Sequence, residues 1–317
     1  MTMTPYIAYN IVQVIVVMIF SPLISGIITK GKERLQSRQG PSVLQPYRNI
    51  IKFFAKDEVV SETSSWISRF TPYIVFVTPI FVSLLIPVLT DYPLFLAFMA
   101  DMVGVGFVLA LSSFFATCAA VDGGNPYGPI GASRTRMVSF LAEPVFIIVF
   151  YTISFVAGST IPYIVQQHWT TLGAFVSPSH ILILVAFFML IVAETGHLPV
   201  DNPSGHFELA MIDESKTLEY SGPSAALYLW GSNMKLFVLL IVFSNVLASP
   251  WGLASTTNLI QVVLAIPLIL LKVIIASLLI IAVDSSLSKL RLFRITEFLM
   301  VSLSIAVVAV VVQLFTV

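Results

Sequence analysis

Two glutamates and two lysines stand inside long apolar runs, where a charged side chain costs about 2.5–3.5 kcal/mol to insert. They are Glu143, Glu194, Lys235 and Lys272. Asp101 lies in the outer part of another run, and Asp284 and Glu297 stand at run ends. Charges in such places persist when they pair or line a polar interior. Acids alternating with lysines on neighbouring helices are the material of a proton path. The competing readings are structural ion pairs for Lys235 and Lys272, interfacial positions for Glu143 and Asp101, and surface positions for Asp284 and Glu297.

Other chemistries have little to work with. The single cysteine, Cys118, cannot form an internal disulfide, a cysteine-ligated iron–sulfur cluster or a structural zinc site. The histidines 168, 180, 197 and 206 show no HxxxH or HExxH spacing, and His197 and His206 read as solvated loop residues. A formal net charge of zero gives no reason to expect nucleic acid as a partner.

The frame for these charges is a bilayer. The 317 residues are 57% hydrophobic and 10% charged, against about 25% charged in soluble domains. Eight stretches are long enough to span as helices: about 5–29, 71–90, 94–120, 137–157, 178–195, 223–249, 258–283 and 295–316. The first has no basic flank before it and no cleavage-type ending, so it reads as a span and not as a removable signal. Pro79 and Pro87 are expected to kink the second span. The expected fold is an all-α integral membrane protein, a single polytopic domain over residues 1–317.

Basic residues orient it. Fourteen of the sixteen Lys and Arg residues fall in residues 30–70, 134–136, 216 and 289–294; the other two are Lys235 and Lys272. The alternate loops near 91–93, 158–177 and 250–257 have none. The positive-inside rule then puts the odd loops in the cytoplasm and both termini outside. Within the first loop, residues 43–56 alternate apolar and polar positions at helical spacing with Pro46 in the first turn, which predicts an amphipathic cytoplasmic surface helix. The connection 196–222 is long and acidic, and no internal repeat is visible.

Three stretches carry a resemblance: residues 36–56 (QSRQGPSVLQPYRNIIKFFAK), 122–144 (DGGNPYGPIGASRTRMVSFLAEP) and 194–222 (ETGHLPVDNPSGHFELAMIDESKTLEYSG). Together they resemble the H-type subunit (subunit 1) of respiratory complex I. They are more similar still to the membrane subunit of group 4 energy-converting hydrogenases of the formate hydrogenlyase and hydrogenase-4 type, because Gly40-Pro41 is followed almost at once by Leu44-Gln45-Pro46.

The resemblance implies a subunit without a redox centre of its own. It would anchor a hydrophilic large subunit and an iron–sulfur subunit, and adjoin antiporter-like membrane subunits. Iron–sulfur clusters, and nickel–iron where the partner is a hydrogenase, would lie in those partners; quinone is an alternative electron acceptor. By the same resemblance, Arg34, Arg38, Arg48, Asp122 and Arg134 belong to the docking face for the redox arm. Glu143, Glu194, Asp201, Glu208, Glu219, Lys235 and Lys272 belong to an ion path, with Asp284 having a counterpart.

The sequence departs from the pattern at Ser204 and His206, where the family usually has acids, at Asn49, and in about three extra residues that bring in Asp213 and Glu214. Glu214 is the expected replacement for a missing acid. Two other functions stay open on the residues themselves: a stand-alone secondary transporter, disfavoured by the absent inverted repeat, and a passive membrane anchor.

Overall fold

The computed structural model describes residues 4–94, 96, 99–170, 177–201, 212–255 and 258–316. Among them, ten α-helices follow in order. They are α1 (Thr4–Leu35), α2 (Gln45–Phe54), α3 (Trp66–Leu85), α4 (Met102–Asp122), α5 (Tyr127–Ala157), α6 (Pro162–His168), α7 (Pro178–Glu194), α8 (Gly222–Ile241), α9 (Leu259–Ser286) and α10 (Leu292–Thr316). Helix α8 continues as π-helix over Val242–Ala248.

Seven helices are long and apolar enough to cross a membrane, and α7, at 17 residues, is a shorter apolar one. These eight correspond to the eight expected spans. The chain is an all-α, multi-pass membrane protein.

Local chemistry moves several predicted boundaries. The second span starts at Trp66, not 71, because the Ser65 hydroxyl accepts from Ile67 N at 3.2 Å as an N-cap. It ends at Leu85, because Ile86 precedes Pro87 and is extended (φ −99°, ψ 154°). Pro87 therefore stops the helix instead of kinking it, while Pro79 remains inside. The third span begins at Met102, not 94. Asp101 is its N-cap, accepting from Val103 N at 3.2 Å, and so is not an intramembrane acid. Helix α5 starts at Tyr127, ten residues before the expected 137, so Arg134 and Arg136 lie on a helix and not in a loop.

The expected amphipathic helix is α2, with a proline in its first turn. It buries Ile50 and sets Phe54 edge-on to Trp230, while Leu44 and Ile51 stay exposed as an apolar outer face.

Helix α8 runs through the middle of the bundle, against α1, α2 and α3; α3 also packs on α4, α4 on α5, and α10 on α5 and α7. Gly231 permits the α3–α8 approach. A Cβ there would stand 2.7 Å from the carbonyl carbon of Val75 and 2.9 Å from Phe76 N, both backbone atoms. Trp230 Nε1 donates to Met18 O at 2.9 Å and fastens α8 to α1. This packing places Lys235, one turn beyond Gly231, in the interior.

Candidate functional site

A cavity of about 360 Å³ lies between α1, α3, α4, the end of α7, the middle of α8 and residues 213–217. Its lining combines small polar groups (Ser25, Thr29, Ser112, Ser113, Ser232, Asn233) with Glu194, Asp201, Asp213, Glu214, Lys216 and Lys235.

Each charge has a defined seat. Glu194, the last residue of α7, receives Lys235 Nζ of α8 at 2.8 Å, and the same ammonium donates to Ser113 Oγ of α4 at 2.9 Å. The two side chains keep 11% and 14% of their surface. Thr195 ends the helix and Gly196 (φ +65°) takes the left-handed turn that sends the chain back under the bundle.

Asp201 is buried and pairs with Lys289 Nζ at 2.7 Å. Its second oxygen accepts the backbone N–H of Ile212 (3.2 Å) and Asp213 (2.9 Å), so one carboxylate folds the two ends of the acidic connection together. Asp213 pairs with Lys216, whose side chain is 5% exposed. Burial pushes the Asp213 carboxyl up, but the Lys216 ammonium, with Lys235 and His197 beyond it, overrides this and holds it below the ordinary range. Glu214 is exposed, and among the described residues no lysine or arginine pairs with it. Desolvation, then the carboxylates of Asp201 and Asp213, push it up to about 7.

A third ion cluster closes the floor. Asp284, at the end of α9, has a fully buried side chain; it meets His197 Nδ1 at 2.9 Å, Leu198 N at 2.9 Å and Lys32 Nζ at 3.7 Å. Together the three ion clusters line or adjoin this polar cavity beneath apolar helices.

The profile of the NADH dehydrogenase family matches residues 8–314. The chain belongs to this family, that of complex I subunit 1. This NADH dehydrogenase family member is 32% identical over 290 residues to formate hydrogenlyase subunit 4 of Escherichia coli, covering 90% of this chain and 92% of that protein. It is 28% identical over 304 residues to hydrogenase-4 component C of the same organism, covering 96% and 94%. An NADH-quinone oxidoreductase subunit of Rickettsia prowazekii aligns over 218 residues at 25% identity, covering 65% and 61%. In fold, the chain superposes on a chain of the membrane-bound sulfane sulfur reductase, an archaeal respiratory membrane complex. The TM-score is 0.84 at 21% identity, covering 97% of this chain and 99% of that one. The chain is a membrane subunit of complex I-related type.

The predicted residues of this family member fall into several groups. Glu194, Asp201, Glu214 and Lys235 line one cavity. Glu143 does not; it lines an adjacent groove of about 260 Å³ between α4 and α5, which reaches Glu194 as well. Its carboxylate lies 4.0 Å from Arg136, whose guanidinium covers the Phe114 ring at 4.7 Å. Glu194 thus borders both spaces. Glu219 stands apart, packed over Gly123 in a small cleft with Glu58 and Arg69.

Lys272 is also separate. Its ammonium donates to Asn245 Oδ1 (3.2 Å), to Ser249 O (2.7 Å) and to Trp251 O, all neutral oxygens at the end of α8 and its π-helical extension. Asp122 is turned inward, accepting from Ser65 N and Ser68 Oγ at 2.7 Å each and tying α4 to α3. Arg34, Arg38 and Arg48 are exposed, and Arg134 is half-buried on α5. Glu208, Ser204 and His206 lie outside the described residues.

Three site residues escape the sequence reading. Asp284 and His197, expected at the surface, are buried together, and Lys289 is more than a loop cation. Asp284 follows an apolar run by position alone, and its partners lie 87 and 252 residues away in the chain. No local pattern reports such pairs.

Proposed function

We propose that this chain is the membrane subunit on which a hydrogenase- or formate-hydrogenlyase-type complex mounts its redox arm, and that it couples electron transfer there to movement of H⁺ or Na⁺. The supporting observation is the cavity in which Glu194–Lys235, Asp201–Lys289 and Asp213–Lys216 lie side by side with Glu214.

In this reading the basic face of α1 and α2 (Arg34, Arg38, Arg48) and Arg134 of α5 receive a hydrophilic large subunit and an iron–sulfur subunit, with both chain termini on the opposite, outer side of a cytoplasmic membrane. Nickel–iron and iron–sulfur centres belong to those partners, and quinone is the acceptor if the partner lacks nickel–iron. A change of charge in the arm is felt first at Asp201 and Asp213, because these sit in the connection that faces it. Glu208 belongs to the same connection. The ion pairs answer by exchanging partners: weakening Asp201–Lys289 frees an acid to compete for Lys216 or Lys235, which loosens Glu194. Glu194 borders the groove leading to Glu143 on the α4–α5 face, where antiporter-like membrane subunits would continue the path. Asp122 positions α3 on α4, and Glu219 and Lys272 act away from the cavity.

The test is ion translocation by the assembled complex in sealed vesicles. Glu194→Gln and Asp201→Asn should lower ions moved per electron pair while substrate oxidation continues. Full translocation in both variants would remove the proposal and leave the chain a passive anchor. Translocation by the isolated chain would favour a stand-alone transporter.

A further inference from the structure

A further space, of about 260 Å³, lies between α1, α2, α8 and the turn at Pro41 and Ser42. It shares Ser25, Thr29, Leu229 and Asn233 with the main cavity, so the two meet along α1 and α8. Thr29, Pro41 and Ser42 are exposed, which puts its outer rim at the protein surface. Glu214 and Thr217 line the main cavity but not this space.

Defined contacts frame it. Tyr47 Oη donates to Ile19 O and fastens α2 to α1. At Gly26 the chain before α2 comes so close that a Cβ would stand 2.9 Å from the carbonyl carbon of Val43. Phe54 meets Trp230 of α8 edge-on at 6.4 Å. Helix α2 is thereby held near both of its ends, while Gln45, Pro46, Asn49 and Ile50 line the gap that remains.

Six of the eleven lining residues carry a hydroxyl or an amide: Ser25, Thr29, Ser42, Gln45, Asn49 and Asn233. Gln45 Nε2 donates to Asn49 Oδ1 at 3.0 Å. Among the described residues, no hydrogen bond takes up the Gln45 carbonyl or the Asn49 amide hydrogens. Asn49 is one of the positions at which the sequence departs from the family pattern, and it sets a neutral amide here. Groups of this kind hold water, and at about 30 Å³ per molecule the space takes several.

We propose that the seam between α1 and α2 is the water inlet of the main cavity, bringing solvent to the Glu194–Lys235 pair by a route that does not pass Glu214. On the coupling function proposed above, the ion to be moved and the signal felt at Asp201 and Asp213 then reach the cavity separately. The inference deepens that function and rests on it for its role; the hydrated route stands without it.

The test is thiol labelling of the assembled complex in its membrane. Asn233→Cys, Ser42→Cys on the rim and Thr217→Cys on the other part of the lining are made one at a time. Each is treated with iodoacetamide, a small, neutral, water-soluble alkylating reagent. The mass of the modified peptide reads the rate, so cysteines of other subunits do not interfere. Asn233→Cys should react within about tenfold of the rate at Ser42→Cys. Adding Thr29→Trp, which fills the junction of the two spaces, should slow Asn233→Cys at least about tenfold and leave the other two unchanged.

An inert Asn233→Cys would overturn the proposal, as would one that Thr29→Trp does not slow. Labelling of Asn233→Cys by the apolar N-cyclohexylmaleimide alone would show a seam open to lipid and overturn it too. Where Thr29→Trp fails to assemble, Asn49→Phe is read in the same way; failure of both would show a seam packed shut and overturn the inlet as well. The labelling needs no turnover, so the two ideas separate. A slowed Asn233→Cys in a complex that moves no ions keeps the inlet and removes the coupling function. Translocation lost in Glu194→Gln, with labelling untouched by Thr29→Trp, does the reverse.

Discussion

Removing Lys235 alone should be far more damaging than removing it together with Glu194. The ammonium lies 2.8 Å from the carboxylate, and both side chains are almost buried. At an effective dielectric of about 20, Coulomb's law gives a gross attraction of about 6 kcal/mol at that distance. Most of it offsets desolvation, so the intact pair adds little net stability. Deleting one partner leaves the other charge stranded, which costs about 3–5 kcal/mol. Lys235→Met or Glu194→Gln should therefore lower the apparent melting temperature of the detergent-solubilised complex by on the order of 10 °C. The double variant Glu194→Gln/Lys235→Met should recover most of that loss, so the coupling energy in the double-mutant cycle should be at least about 3–5 kcal/mol, the size of one single deletion.

Thermal melts of the three variants by size-exclusion fluorescence measure the stability; translocation per electron pair in vesicles measures the function. The ion-path reading requires that the double variant be stable and uncoupled. A stable, fully coupled double variant would refute it and identify the pair as structural. Additive destabilisation would refute the geometry itself.

Three further outcomes rest on the same geometry. Glu214 is raised to about 7 by burial and by Asp201 and Asp213, so its folded state holds a proton that the unfolded chain releases near 4.5. Its contribution to stability is complete below about pH 4.5 and is lost as pH rises through 7; Glu214→Gln should flatten that part of the melting-temperature-against-pH curve. Gly231→Val should cost about 1–3 kcal/mol by driving a side chain into the Val75 backbone, seen as reduced assembly, with Gly231→Ala intermediate. Charge reversal at the exposed Arg34, Arg38 and Arg48 should release the redox arm from membranes at lower salt than in the wild type, measured by sedimentation, while the membrane subunit itself remains inserted.

The membrane helices were legible because lipid acts on every residue of a span: eight apolar runs are eight helices, and Pro46 and its neighbours gave α2. Boundaries were less so. Ser65 and Asp101 cap helices by single hydrogen bonds, and Pro87 acts through the residue before it. The site divided in the same way. Glu194 and Lys235 were conspicuous because they interrupt apolar sequence, yet that they touch was not. His197 and Asp284 were misjudged because each, alone, looks like an ordinary loop or helix-end residue. Only the turn at Gly196 brings them together. Lys272 shows the converse: conspicuous in sequence, it binds carbonyl and amide oxygens away from the cavity.

Helix α7 has 17 residues, about 25 Å of rise, against a hydrocarbon core near 30 Å. It stops at Glu194, and polar lining begins there. If the polar cavity there is hydrated, it carries the potential of its own compartment inward, and the membrane voltage falls over a thinner dielectric. Across the whole bilayer that voltage is worth about 2.3 kcal/mol per charge per 100 mV. On the ion path proposed above, a cation beside Glu194 would still have nearly all of this electrical distance to cross, though it would already have covered part of the physical one.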